Sequence, residues 1–303
     1  MNMEGCVRRL ELSKPPFRSY RSCGFTLIEM SIVLVIIGLI VGGVLVGQDL
    51  IRAAGIRATI AQIEKYNQAV NTFREKYGAL PGDLNAQTAN QFGFAARGQH
   101  AGEGDGNEVL EGIHADANGM NDGTFQGAGE TAMFWVDLST ANLIEGGFNT
   151  ATSNIMPPAT ITGAALNNYL PPAKLGGSNY VYVWSGGYHN ALNGLNYYGV
   201  SAVTSITTAG YIYSSLGLTV RQAYSIDQKV DDGLPQSGNV IAFFLDADVA
   251  YNVEYAGPID TRGTDGSATT CYDNSGVVSA IQQYSLGRNG GAGVNCALSF
   301  QFQ

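Results

Sequence analysis

From Met30 to Gln48 the chain runs for 19 residues without a charged side chain, and Asp49 closes the run. As an α-helix this stretch is about 28 Å long, close to the ~30 Å hydrocarbon core of a bilayer. A helix that is apolar on every side must lie in lipid or against other apolar helices. An ordinary signal anchor meets that description, but two features go beyond it. Glu29 stands at the mouth of the run, where a carboxylate in lipid costs a few kcal/mol and takes a partner. Beyond Asp49 the apolar pattern continues as Ile56, Ile60, Ile63, Tyr66, Val70, Phe73 and Tyr77. These steps of three and four make one stripe of an amphipathic helix. Gln62, Glu64, Lys65, Gln68, Asn71, Arg74 and Glu75 fall on its other faces. Gly78 and Pro81 then supply a helix stop.

The charges flanking the run set an orientation. Arg8, Arg9, Lys14, Arg18 and Arg21 precede it, against Glu4 and Glu11, while the short flank beyond it holds Arg52, Arg57 and Lys65. This asymmetry places the amino terminus in the cytoplasm and the rest of the chain outside it. Residues 1–24 contain Pro15-Pro16 and no apolar core, unlike a Sec-type signal, whose hydrophobic region precedes its cleavage site.

The stretch Gly24-Phe25-Thr26-Leu27-Ile28-Glu29-Met30, with basic residues before it and the uncharged run behind, resembles the amino-terminal signature of type IV pilins and type II secretion pseudopilins. The resemblance implies that prepilin peptidase cuts between Gly24 and Phe25 and methylates the new amine of Phe25. Glu29 then becomes the fifth mature residue, the family's charged position, which meets the amino-terminal amine of a neighbouring subunit. Implied partners are the peptidase, other pilin or pseudopilin subunits and an inner-membrane assembly platform. The implied location is the bacterial inner membrane, spanned once, with a periplasmic head that can be drawn into a pilus or pseudopilus. The expected fold is α+β: a pilin-like long amino-terminal helix, transmembrane in its first half, packed on an antiparallel β-sheet head. The expected parts are a cleaved leader 1–24, a helix 25–77 (transmembrane about 28–48, amphipathic 49–77) and a head 78–303. Tyr77-Gly78-Ala79-Leu80-Pro81-Gly82-Asp83-Leu84 also resembles the helix-to-head junction of pseudopilin-like proteins. One departure is clear: many filament-forming relatives carry a proline near the middle of this helix, and this chain has Val44-Leu45-Val46. Gly38, Gly42, Gly43 and Gly47 instead place small residues on adjoining faces, where helices approach closely.

The leader carries a net charge of +3 and the whole chain −9, so the processed chain carries −12. So acidic a head is a poor match for a phosphate backbone, and no nucleic-acid partner is expected. Forty glycines and a charged content of 14% suit a loop-rich exported head. Cys6 and Cys23 leave with the leader, and Cys271 with Cys296 then reads as one disulfide, the alternative being two free buried thiols.

Within the head, Glu130–Ile144 reads as a buried helix and residues 145–178 as loop. Tyr180–Trp184 reads as a strand and Asn196–Val203 as a weaker one. Thr219-Val220-Arg221-Gln222 is a capping-box candidate opening a helix with Ala223, Ile226 and Val230 on one face. Asp231-Asp232-Gly233 ends it, and 238–245 follows as a strand. The run Ile226–Pro235 resembles a segment of large prepilin-like heads, and its aspartates are expected to cap and turn. Cys296, Leu298, Phe300 and Phe302 alternate with polar or small residues, the pattern of a half-buried strand. Between residues 93 and 129, Asp105, Asn107, Asp116, Asn118 and Asp122 are hard oxygen ligands of the kind Ca²⁺ takes, and some pseudopilins bind calcium in their heads. Neither acidic stretch has complete EF-hand spacing, and turn chemistry explains the same residues, so no cofactor is expected.

The expected function is a structural subunit of a type II secretion pseudopilus or pilus-like filament, supporting protein secretion through its helix. The alternatives are an adhesin-like tip or minor pilin serving adhesion, motility or DNA uptake, and a membrane-tethered hydrolase. Against the last, His100, His114 and His189 are scattered, and no Gly-x-Ser-x-Gly, His-Glu-x-x-His or P-loop occurs. An enzyme is therefore not expected.

Overall fold

The computed structural model describes residues 26–98, 102–112, 127–185, 194–247, 253–257, 266–277 and 279–302. The chain divides into two compact units at Asp49 and Leu50. In chain order the elements are α1 (Leu27–Tyr77), α2 (Ala86–Phe92), α3 (Glu130–Thr140), β1 (Ile161–Thr162), β2 (Asn179–Ser185), β3 (Asn196–Ile206), β4 (Ile212–Ser215) and β5 (Leu218–Thr219). They continue with α4 (Val220–Val230), β6 (Val240–Ile241), β7 (Phe243–Leu245), β8 (Val253–Tyr255), β9 (Tyr272–Asp273), β10 (Gln283–Tyr284), β11 (Val294–Cys296) and β12 (Leu298–Gln301). A long apolar helix followed by antiparallel sheet is the α+β pilin-like arrangement expected.

In the first unit α1 is exposed almost throughout, with Leu27, Leu34, Ile40 and Val46 among its bare apolar side chains. Among the described residues, this is the one helix long and apolar enough to cross a bilayer. In the second unit α1 buries Ile56, Thr59, Gln62, Ile63, Tyr66, Ala69, Val70 and Phe73. The stripe read from sequence is thus present, with Ile60 and Tyr77 at its half-buried margins. Gln62 departs from expectation, because it lies inside the core rather than on a polar face. Its amide donates to the Pro172 carbonyl at 3.0 Å and accepts from the Lys174 backbone N–H at 2.9 Å. These bonds offset the cost of burying the group.

β3 is the centre of the head's six-stranded sheet. β2 pairs with it along 196–202, β12 along 197–200, and β1 and β4 with its distal end. β6 forms an edge by pairing with β12. β3 is longer than its sequence suggests, since Gly199 and the serines weaken a strand pattern. Gly199 has a packing reason: a Cβ there would collide with the Tyr182 ring on the neighbouring strand. Tyr66, Trp135 and Tyr198 join α1, α3 and β3 through rings 5.0 to 6.4 Å apart.

Three other expectations change. The helix at Glu130 ends at Thr140, four residues early, where Ala141 and Asn142 turn back on it. The stretch read as one strand over 238–245 is two, β6 and β7, broken where the Ala242 N–H turns to the Pro235 carbonyl. β12 is buried on both faces: Ser299 is inside, accepting from Trp184 Nε1 and donating to the Phe243 carbonyl, each at 3.0 Å. Within 145–178, β1 and a 3₁₀ turn at Gly163–Asn168 interrupt the expected loop.

The Cys271–Cys296 disulfide is formed, with both cysteines buried. It ties the segment entering β9 to β11.

Candidate functional site

At the start of α1, Thr26 and Glu29 form a reciprocal capping box. Glu29 Oε2 accepts from the Thr26 N–H at 2.8 Å and from Thr26 Oγ1 at 2.7 Å. In return Thr26 Oγ1 accepts from the Glu29 N–H at 3.3 Å. A threonine before the helix and a glutamate three residues on is the sequence pattern that builds this arrangement, and it satisfies two N–H groups the helix cannot. The carboxylate also sits where the helix dipole favours negative charge. Glu29 is followed by the uncharged run, so its surroundings along the helix are apolar. Gly38, Gly42, Gly43 and Gly47 lie further along, and a Cβ at any of them would meet nothing within 4 Å. The first unit thus presents one carboxylate at the head of a bare apolar rod with four small-residue notches.

Residues 19–45 match the family described as the prokaryotic N-terminal methylation motif. The chain carries a type IV pilin/pseudopilin amino terminus. No curated protein and no solved structure matches it. The motif covers Arg21, Gly24, Phe25, Glu29 and most of the apolar run. Gly24 and Phe25, the expected cleavage and methylation positions, lie outside the described residues, as do Asp116, Asn118, Asp122 and the three histidines.

The head contains two groups of carboxylates, neither identical to the set read from sequence. Oxygens of Asp83, Asp105 and Glu130 lie within 4.8 Å of one another. Asp83 comes from the turn after α1 and Glu130 from the first residue of α3; both are fully buried. Five backbone N–H groups of the 104–111 segment point at them. Asp83 accepts from Gly106 at 2.7 Å and Glu108 at 2.8 Å. Glu130 accepts from Gly104 at 3.0 Å, Asp105 at 3.3 Å and Glu111 at 3.0 Å. Burial pushes the Asp83 carboxyl up to about 6, against the pull of those amides. Burial, and then the nearby Asp83, push Glu130 well above the carboxylate range. Such an all-oxygen set suits a hard divalent ion, but its evident work is to hold a loop that, among the described residues, belongs to no strand. Asn107 is not a member: its carbonyl accepts from the Val109 N–H and its amide donates to Asp105. Sequence reading missed Asp83 and Glu130 because single acidic residues 47 positions apart carry no pattern.

Next to this clasp, Arg97 and Asp137 make a fully buried ion pair. Arg97 reaches both Asp137 oxygens, and Asp137 also accepts from the Gly82 N–H at 2.6 Å. Burial raises the Asp137 carboxyl, and Arg97 opposes the shift. The second carboxylate group is Asp227, Asp231 and Asp232, at the end of α4. It caps and turns the chain as expected, and α4 opens with the expected Thr219–Gln222 capping box.

Proposed function

We propose that the chain is a structural subunit of a type II secretion pseudopilus or a closely similar pilus-like filament, serving protein export. The observation that carries this reading is the methylation motif running directly into a helix whose lone early carboxylate is Glu29. Prepilin peptidase would cut after Gly24 and methylate Phe25. Residues about 28–48 would hold the subunit in the inner membrane, amino terminus inside and head in the periplasm, as the basic flank favours. The assembly platform would then move it into a filament.

In the filament, the amine of one Phe25 pairs with the Glu29 carboxylate of a neighbour. Helix packing supplies the association energy, aided by the glycine notches, and the charge pair sets register, since a buried carboxylate left alone is strongly unfavourable. The role needs no catalytic group and no resident cofactor.

The test combines mass spectrometry of the mature amino terminus with co-purification of filament partners. Expected are a terminus at methylated Phe25, and a Glu29→Ala variant that is processed but no longer co-purifies. A native protein still starting at Met1, or normal co-assembly of Glu29→Ala, would overturn the reading. The identity of the co-purifying subunits separates a secretion filament from an adhesive or DNA-uptake pilus.

A further inference from the structure

The loop 231–240 hangs on three aspartates at the carboxyl end of α4, and each holds a different part of it. Asp227 accepts from the Gly233 N–H at 3.1 Å. Asp232 accepts from the Leu234 N–H at 2.8 Å and from Ser237 Oγ at 2.6 Å. Asp231 accepts from the N–H groups of Asn239 and Val240. Val240 begins β6, the edge strand that pairs with β12. The loop is thus held by three carboxylates whose oxygens lie within 4.8 Å of one another, and Asp231 among them reaches the sheet edge, where the Asn239 carbonyl also accepts from the Gln301 N–H of β12.

That crowding is electrostatically costly in two ways. Like charges so close resist joint ionisation, most of all when one is buried, as Asp227 is. All three also sit at the negative end of the α4 dipole. Among the described residues none of the three has an ion-pair partner. Lys229, in the last turn of α4, is exposed. From β10, the Tyr284 hydroxyl donates to Asp227 at 2.7 Å. From β9, the Tyr272 hydroxyl accepts from Gln236 of the loop at 2.6 Å.

We propose that the loop 231–240 is a proton-operated latch: a proton on Asp227 lets the three carboxyl groups share the site and clamps β6 onto β12, and loss of that proton loosens the clamp. Protonation of Asp227 removes one of the three crowded charges while an oxygen of the group still accepts from Tyr284 or Gly233, which relieves the repulsion. Burial, reinforced by Asp232 and Asp231, holds the Asp227 carboxyl up near 7, in spite of the Tyr284 and Gly233 hydrogen bonds. A carboxyl raised in the folded state adds stability at low pH and loses it as pH rises through the folded value. The latch therefore tightens on acidification and slackens toward mildly alkaline pH.

The test is amide hydrogen exchange of the full chain in detergent micelles, with carbon-detected titration of the aspartate carboxyls. After correction for intrinsic rates, protection of Gly233, Leu234, Asn239 and Val240 should fall roughly ten- to a hundred-fold from about pH 5 to about pH 8. Asp227→Asn should make that protection independent of pH. Tyr284→Phe removes a bond favouring the ionised carboxyl and should move the midpoint to higher pH, so the test survives if Asp227→Asn does not fold. An Asp227 carboxyl titrating near its usual value, an unchanged pH profile in Asp227→Asn, or an unmoved midpoint in Tyr284→Phe would overturn the proposal.

Discussion

The Glu29 carboxylate is bonded to Thr26 of its own chain, through both the backbone N–H and the hydroxyl. The single chain therefore already gives this carboxylate two donors. The proposed pairing with a neighbour's amine would add to that arrangement or exchange with it. Thr26→Ala removes the hydroxyl and leaves the N–H. A lost cap of this kind costs about 1 kcal/mol. The expected outcome is faster amide exchange in the first turn of α1, with the head unchanged, measured in micelles.

The Arg97 and Asp137 side chains are each without solvent contact, so removing one strands the other. Asp137→Ala or Arg97→Ala should each cost about 3–5 kcal/mol, read as a lowered midpoint in denaturant. Replacing both by apolar residues of similar volume should recover much of the loss, although the Gly82 N–H loses its acceptor.

Cys271 and Cys296 enclose a loop of 25 residues. Replacing both by serine should lower stability by about 3 kcal/mol. Because both sulfurs are buried, reductant alone should have little effect until denaturant opens the head, which thiol trapping at stepped denaturant concentrations would report.

Asp83 is held up to about 6 by burial, and Glu130 is shifted the same way. A raised folded value means that stability is gained as pH falls toward the ordinary carboxylate range and lost as pH rises through about 6. Protection of the Gly106 and Glu108 amides should therefore weaken from about pH 5 to about pH 8. Constant protection across that range would show that the carboxyls titrate normally.

Gly199 faces the Tyr182 ring with no room for a methyl group. Gly199→Ala should cost about 1–3 kcal/mol through overpacking at the centre of the sheet. Thermal melting of the variant checks this. Gly147→Ala, in open space at a loop, is the matched control and should be close to neutral.

The sequence made the long helix plain because its signals are local and repetitive. An uncharged run needs only counting, and the stripe from Ile56 to Tyr77 shows in the spacing. Thr219 and Gln222 were equally readable, as a capping box lies within four residues. Cys271 and Cys296 stood out by elimination once the leader was set aside. The buried clasp was not readable. Asp83, Arg97, Glu130 and Asp137 each look like surface residues, and only the fold makes them neighbours. β6 and β7 merged into one strand because hydrophobic alternation does not register a single N–H that bonds elsewhere. β12 was read as half-buried since Ser299 is polar, yet Trp184 and Phe243 give it partners inside.

β12 fits between β3 and β6, although its residues follow those of β3 by roughly a hundred positions, the kind of separation that slows folding. A head made and moved across a membrane in sequence order would present β3 long before the strand that belongs beside it. Until Leu298 and Phe300 emerge, β3 lacks its partner along 197–200 and β6 has nothing to lie against. Completion of the head is thereby tied to delivery of this stretch, so a subunit halted partway through export would carry an unfinished sheet.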